Sequence, residues 1–167
     1  MNTKSTLTIT LPSDRELTIT RVFNAPRGLV FDAFTKPELL KRWLHGPEGW
    51  QLVRCEIDLS VGGKTRYEWQ HRDGRSMGMS GEYREIDKPA RLVATELFDA
   101  DWTGGETVGT LVFTERDGKT TAAQTMLYAS KAARDGAAAS GMDRGMEASY
   151  QHLDALLAAG AEAKGAA

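Results

Sequence analysis

The feature that most constrains this chain is an amphipathic stretch at residues 141–159, GMDRGMEASYQHLDALLAA. Its apolar residues recur at helical spacing and therefore lie on one side of an α-helix. They are Met142, Met146, Tyr150, Leu153 and Leu157. The opposite side can face water and carries Asp143, Arg144, Glu147, Gln151 and Asp154. Gly160 follows and is predicted to end the helix. Methionine and tyrosine stand where a sealed core favours Leu and Ile, so the first half of the stripe is predicted to face a space.

Most of the chain before this helix alternates in the manner of β-strands. Residues 6–11 and 17–23 alternate polar and apolar side chains around a Pro-Ser-Asp turn, which predicts a hairpin or a bent pair of strands. Residues 51–128 contain five or six further runs joined by short turns, and such runs pair antiparallel. In the first of these strands, Val53 and Cys55 are predicted to share one face.

Two short helices are predicted between these groups of strands. The spacing of apolar residues becomes helical at residues 29–34 and again at 38–43, and Pro37 interrupts the two runs. A sheet with one apolar face needs a cover, and the long C-terminal helix is the only long helical pattern available. The pattern therefore predicts an α+β fold, with one domain over residues 1–160 and a disordered tail at 161–167.

Composition argues against several classes of partner. The chain has 21 basic and 23 acidic residues and a formal net charge of −2, which argues against binding to nucleic acid or to an anionic membrane. Cys55 is the only cysteine, so an intrachain disulfide and a cysteine-based metal cluster are excluded. The N-terminus lacks the apolar region of a signal peptide, and no apolar run reaches membrane-spanning length. We therefore expect a cytoplasmic protein without membrane insertion.

No sequence motif of metal binding or nucleophilic catalysis is present. The histidines lack metal-ligand spacing, and three separate, mostly solvated side chains are predicted for His45, His71 and His152. There is no G-x-S-x-G motif, and Cys55 lies on the apolar side of its strand, as a small buried hydrophobe would. The sequence therefore predicts no catalytic residue, no metal and no cofactor.

Three glutamates on predicted strands, Glu68, Glu82 and Glu96, keep acid–base chemistry open. A carboxyl group facing an apolar cavity has a raised pKa and can move protons during a cyclisation or a dehydration. Strand alternation places Glu68 and Glu82 opposite the aromatic side chains of their own strands. If those aromatic faces line a cavity, both of these glutamates point to solvent.

The strongest constellation is rich in methionine and aromatic residues. Such surfaces suit a pocket for a flat, apolar ligand with tyrosine hydroxyls as polar handles. The predicted ligand-binding residues are Trp69, Met77, Met79, Tyr83, Met126, Tyr128, Met142, Met146 and Tyr150. The alternative is that these side chains fill the core. Trp43 and Trp50 are interpreted as structural anchors of the loop between them, and Trp102 as a lid or an exposed contact.

Four segments carry a resemblance to a known family, and they span residues 19–157. They are ITRVFNAPRGLVFDAFTKPELLKRWLHGPEGW, EIDLSVGGKTRY, GEYREIDKPARLV and the C-terminal pattern GM..S...LD.LL. In these segments the chain resembles the START-like (SRPBCC, helix-grip) superfamily and, within it, the family named for the activator of the heat-shock protein 90 ATPase. The resemblance implies a curved antiparallel sheet wrapped around a long C-terminal helix.

Three hypotheses about function follow from the residues and the resemblance. The first is a domain that binds a hydrophobic small molecule between the sheet and the C-terminal helix. The second is a cyclase, dehydratase or hydrolase acting in that cavity, which requires an inward-facing carboxylate, His or Arg. The third is a module that interacts with a chaperone. In the resembling family that role belongs to larger eukaryotic proteins with an additional N-terminal domain, for which we expect no room here. A homodimer through a sheet edge or the short helices is left open.

Overall fold

The structure is a computed structural model that describes the backbone of residues 6–165 and the side chains of residues 6–160. Eight strands and four helices occur in this part of the chain. In order they are β1 (Thr8–Ser13), β2 (Glu16–Phe23), α1 (Arg27–Thr35), α2 (Pro37–Trp43), β3 (Trp50–Ile57), β4 (Lys64–His71), β5 (Ser76–Asp87), β6 (Arg91–Phe98), β7 (Thr107–Arg116), β8 (Lys119–Leu127), α3 (Lys131–Ala138) and α4 (Met142–Gly165).

All neighbouring strands pair antiparallel, in the order β1-β2-β8-β7-β6-β5-β4-β3. Strands β3 to β8 form a meander, and pairing of β2 with β8 brings the N-terminal hairpin beside the last strand. Helix α2 packs on both β3 and α4. Pro37 stands at the first turn of α2, where a missing N–H leaves no hydrogen bond unmade. The predicted α+β helix-grip fold, including the two short helices, is confirmed.

Helix α4 presents the predicted apolar stripe to the sheet. Tyr150, Leu153 and Leu157 are buried, whereas Met142 and Met146 are only partly buried. The second half of the stripe therefore packs into the core, and the first half borders open space. One face of α4 therefore has two roles: its second half packs in the core, and its first half lines a cavity.

The helix does not end at Gly160, as the sequence analysis predicted, but continues to Gly165. Glycine inside a helix costs only about 1 kcal/mol relative to alanine, and the flanking residues here are mostly alanine, the best helix former. The predicted disordered tail at residues 161–167 stays a prediction, because its side chains and all of residues 166–167 lie outside the described residues.

Arg21 of β2 is a buried cation that joins the sheet to α4. Its Nε and Nη2 donate to the two carboxylate oxygens of Glu147 at 3.1 and 3.0 Å. Its Nη1 and Nη2 donate to the two carboxylate oxygens of Asp154 at 2.9 and 2.8 Å, and Nη1 also donates to the carbonyl oxygen of Val22 at 3.0 Å. These bonds use all five N–H groups of the guanidinium. Burial of this cation is therefore fully compensated by hydrogen bonds and charge.

The predicted exposure of this side of α4 is confirmed for Arg144 and Gln151, whereas Glu147 and Asp154 are only partly exposed because their carboxylates bind Arg21. The two residues lie two turns apart on α4, so both reach the same guanidinium group. Burial acts to raise the pKa of Glu147, but hydrogen bonds from Arg21 and from the backbone N–H of Leu7 outweigh it and lower that pKa. Periodicity places Glu147 and Asp154 on the polar side of the helix, but it carries no information about Arg21, a partner on a strand distant in sequence.

A bulge in β3 reverses the predicted orientation of Val53. The pairing with β4 shifts between Leu52 and Arg54, so one extra residue enters the strand there. Leu52 and Cys55 are consequently buried, whereas Val53 is 46% exposed. Simple alternation fails at such a site because each inserted residue exchanges the two faces of the strand.

Removal of one carboxylate from the Arg21 cluster should destabilise the fold. We expect Glu147→Ala to lower the free energy of unfolding at pH 7 by about 3 kcal/mol, because it leaves a buried guanidinium partly unpaired. The matched control is Glu48→Ala, which breaks an ion pair with Arg72 on the surface and should cost at most about 1 kcal/mol. Urea unfolding of both variants measures the difference.

The effect of Glu147→Ala should also depend on pH. A carboxyl whose pKa is lowered by folding adds stability above its unfolded pKa, near 4.5, and loses it as the pH falls through the folded value. The gap between wild type and variant should therefore narrow in acid. An equal loss in the two variants at pH 7 would contradict the assigned role of the cluster.

Candidate functional site

A cavity of about 580 Å³ lies between the concave face of the sheet and the first half of α4. Strands β4 to β8 supply one wall, and α2, the loop that follows it and α4 supply the other. The volume falls within the range of roughly 300–1,000 Å³ that is typical of small-molecule pockets. The fold therefore leaves space for a ligand at the place where the methionine-rich part of α4 faces the sheet.

All nine residues that the sequence analysis selected line this one cavity. They are Trp69, Met77, Met79, Tyr83, Met126, Tyr128, Met142, Met146 and Tyr150. Most of them are buried, but Met77 is 37% exposed. Most of them also belong to the hydrophobic core, so the same side chains pack the core and border the cavity. That they bind a ligand stays a prediction.

The tryptophans hold the cavity walls in different ways. The indole N–H of Trp43 donates to the carbonyl oxygen of Ala33 at 2.9 Å, and that of Trp69 donates to the carbonyl oxygen of Leu44 at 2.8 Å. Both rings are therefore fixed to the short helices. Trp102 also lines the cavity, yet it is 45% exposed. Its position on the rim agrees with its interpretation as a lid or an exposed contact.

Every tyrosine of the chain lines the cavity, including Tyr67, which the sequence analysis did not select. Within residues 6–160, none of the four hydroxyl groups has a hydrogen-bond partner in the protein. Burial raises the pKa of Tyr83 and of Tyr128 to about 12, and it also raises the pKa of Tyr67 and Tyr150. All four hydroxyls consequently keep their protons and remain available as donors and acceptors.

Glu96 of β6 is the one carboxylate of residues 6–160 that lines the cavity. It is partly buried, and within the described residues its carboxylate has no ion-pair partner. Burial raises the pKa of Glu96 to about 7. The hypothesis of an enzyme requires an inward-facing carboxylate, and Glu96 meets that requirement.

The other two glutamates point away from the cavity, as the alternation of their strands predicts. Glu68 accepts a hydrogen bond from Arg54 at 2.9 Å, and Glu82 accepts one from Lys64. The sequence carries a comparable signal for Glu96. Alternation along β6 places it on one face with three apolar residues that also line the cavity, Leu92, Ala94 and Phe98.

Two histidines that were predicted to be separate lie together. The rings of His45 and His152 are 5.8 Å apart between centroids, and the backbone N–H of Leu52 donates to Nδ1 of His45 at 3.1 Å. Burial, followed by the charge of His152, lowers the pKa of His45. His71 lies elsewhere, against Trp50. The pair joins a loop to α4 across more than a hundred residues, so local spacing could not predict it.

Among residues 6–165, no helix combines the length and the apolar character needed to cross a membrane. In the same residues, no group of three or more His, Cys, Asp or Glu side chains is placed to hold a metal ion.

The chain is similar to several known proteins. The family described as Activator of Hsp90 ATPase homolog 1-like protein matches residues 24–158. A crystal structure of a protein from Rhodobacter sphaeroides is 38% identical in sequence and superposes with a TM-score of 0.87, over 92% of this chain and 99% of that chain. A crystal structure of a protein from Mycobacterium smegmatis is 26% identical, with a TM-score of 0.79, over 90% and 96% of the two chains.

A more distant structure shows a likeness of fold alone. The solution structure of the AHSA1-like protein from Aeromonas hydrophila is 18% identical and has a TM-score of 0.66, over 83% of this chain and 93% of that chain. No curated protein matches the chain.

The raised pKa of Glu96 predicts that this residue destabilises the folded protein at high pH. The folded state binds the Glu96 proton more tightly than the unfolded chain does, so stability falls as the pH rises from about 4.5 to about 7. Glu96→Gln removes this loss. The unfolding free energy of the variant minus that of wild type should therefore increase by about 2–3 kcal/mol from pH 5 to pH 8.

Urea unfolding of wild type and Glu96→Gln at the two pH values measures this gain. The matched control is Glu82→Gln, which changes an exposed carboxylate on the other face of the sheet and should show no such gain. A stability difference between wild type and Glu96→Gln that is the same at pH 5 and pH 8 would contradict the assigned environment of Glu96.

Proposed function

The chain belongs to the family of Activator of Hsp90 ATPase homolog 1-like proteins, within the START-like helix-grip superfamily, and we propose that it binds a hydrophobic small molecule. The cavity between the sheet and α4 carries the proposal. Its volume is about 580 Å³, and its wall is mainly aromatic rings, methionines and aliphatic side chains. Transfer of an apolar ligand from water to such a wall is favourable in proportion to the apolar area buried.

The wall chemistry favours a flat or irregular apolar ligand. Tyr67 and Trp69 stand with nearly parallel rings, 13° apart in orientation, and offer a broad surface on β4. Opposite them, Met142 and Met146 of α4 supply flexible thioethers that adapt to the shape of a partner. The four tyrosine hydroxyls supply the few polar contacts that orient a ligand in a mostly apolar pocket.

The rim of the cavity supports entry from solvent. Met77 and Trp102 line the cavity and are 37% and 45% exposed, so both border the opening. The Trp102 ring lies 5.2 Å from that of Phe98, measured between centroids. Its loop runs between β6 and β7, where a small displacement would widen the opening without disturbing the strands.

A cavity-filling substitution tests the proposal. We expect Met146→Trp to weaken binding of the neutral fluorescent probe N-phenyl-1-naphthylamine about tenfold, because the larger ring occupies the space between α4 and the sheet. Titration of the probe, followed by its fluorescence increase in an apolar site, measures the affinity. Far-ultraviolet circular dichroism establishes whether the variant keeps its fold.

The matched control for this experiment is Val61→Trp. Val61 is 69% exposed and does not line the cavity, so the same ring added there should leave the probe affinity unchanged. If the folded Met146→Trp protein bound the probe as tightly as wild type, the cavity would not be the binding site.

A second candidate function is proton transfer by an enzyme of the cyclase, dehydratase or hydrolase type. One observation favours it: Glu96 faces the cavity, and its pKa of about 7 lets it accept and return a proton near neutral pH. A suitable probe is 5-nitrobenzisoxazole. A base removes its ring C–H proton, the N–O bond breaks, and a coloured cyanophenolate is released.

We expect wild type to accelerate this ring opening more at pH 8 than at pH 6, because the Glu96 carboxyl ionises over that interval. Glu96→Gln should lose at least about tenfold of the acceleration, whereas Glu82→Gln should retain it. Absorbance of the released phenolate measures the rate. Equal rates in the three proteins would set this candidate aside and leave the binding proposal in place.

A further inference from the structure

The cavity wall carries an acidic side chain but no basic one that could neutralise its charge. Among residues 6–160, Glu96 is the only acidic residue in the lining, and no lysine or arginine lines the cavity. The buried Arg21 does not line the cavity, and its guanidinium group is paired with Glu147 and Asp154. A carboxylate in an apolar site without a cationic partner is costly. The cavity therefore offers one unmatched negative charge to whatever occupies it.

Aromatic rings line the same cavity as Glu96. The four tyrosines among them come from β4, β5, α4 and the segment after β8. The faces of such rings carry partial negative charge and attract cations. A cation beside Glu96 would thus meet a full negative charge, tyrosine oxygens and aromatic faces in one place.

We propose that the cavity selects apolar ligands that carry one protonated amine, with the ammonium group paired to Glu96 and the apolar body among the aromatic and methionine side chains. This inference rests on the proposed binding function and names its ligand class. An ammonium group supplies the positive charge and the hydrogen-bond donors that the Glu96 carboxylate lacks within the described residues. The tyrosine hydroxyls accept the donors that remain.

Anionic ligands such as fatty acids fit this wall poorly. A ligand carboxylate would be placed in the same low-dielectric space as Glu96 with no lysine or arginine to compensate it. One of the two carboxyl groups would then have to be protonated. A neutral ligand avoids the repulsion but leaves Glu96 unpaired, so it forgoes the charge-assisted hydrogen bond that an amine makes.

A matched pair of probes isolates the ammonium group. We would measure 1-naphthylmethylamine and 1-naphthylmethanol, which share ring system and length, by displacement of N-phenyl-1-naphthylamine at pH 8. We expect the amine to bind wild type about tenfold more tightly than the alcohol. Glu96→Gln should bring that ratio close to one, whereas Glu82→Gln, which removes an exposed carboxylate, should leave it unchanged.

The preference for the amine should also fall in mild acid. Between pH 8 and pH 6 the Glu96 carboxyl takes up its proton, which should reduce the amine-to-alcohol ratio of wild type several-fold. The other titratable groups facing the cavity are the four tyrosines, which stay neutral over this range, and His45. Because His45 is retained in Glu96→Gln, that variant should show no comparable change between the two pH values.

The outcomes separate this inference from the proposed function. If both probes bind wild type but the alcohol binds as tightly as the amine, or if Glu96→Gln keeps the preference, the ligand class is wrong and the binding function stands. If neither probe nor N-phenyl-1-naphthylamine binds wild type, both proposals are wrong.

Discussion

The buried guanidinium of Arg21 is the interaction on which the arrangement of sheet and helix depends. Its five N–H groups have partners only when Glu147 and Asp154 of α4 lie directly over β2, so the charge cluster fixes where the helix sits along the sheet. Beyond it, Leu153 and Leu157 seal the core. The first turns of α4 are then held away from the sheet, and the side chains of Met142 and Met146 do not fill the space between them. The cavity results from that geometry. A cavity in a packed protein is unfavourable and persists only where the surrounding frame resists collapse, and the Arg21 cluster supplies such a frame.

Arg21 and Glu96 are held by the same fold in opposite ways. Arg21 has every donor satisfied and two carboxylates around it, which is the pattern of a group that holds structure. Glu96 has no partner charge in the described residues, and burial raises its pKa to about 7. An unpaired ionisable group in a cleft costs stability, and such groups are concentrated at functional sites. The contrast separates the structural half of the helix–sheet interface from the half that we assign to ligand binding.

Periodicity predicted the parts of this site that depend on local sequence. The stripe from Met142 to Leu157 and the alternation of β4 and β5 were enough to select side chains that meet at one cavity. Periodicity cannot identify partners that are distant in sequence. It therefore predicted neither the contact of Glu147 with Arg21 nor that of His45 with His152. It also fails at a bulge, which turned Val53 outward. Glu96 is a different case, because its alternation with apolar neighbours along β6 is a signal that the sequence itself carries.

The cost of Glu96 links the site to the stability of the fold. Above pH 7 the folded protein must keep an ionised carboxylate in an apolar cavity, whereas the unfolded chain exposes it to water. A cation bound beside Glu96 removes that penalty from the folded state alone, and any ligand that binds only the folded state stabilises it. Affinity for an amine and the destabilisation caused by Glu96 are therefore two consequences of one unpaired charge. The helix-grip frame tolerates this cost because the Arg21 cluster and the leucines at the other end of α4 hold the fold together independently of the cavity.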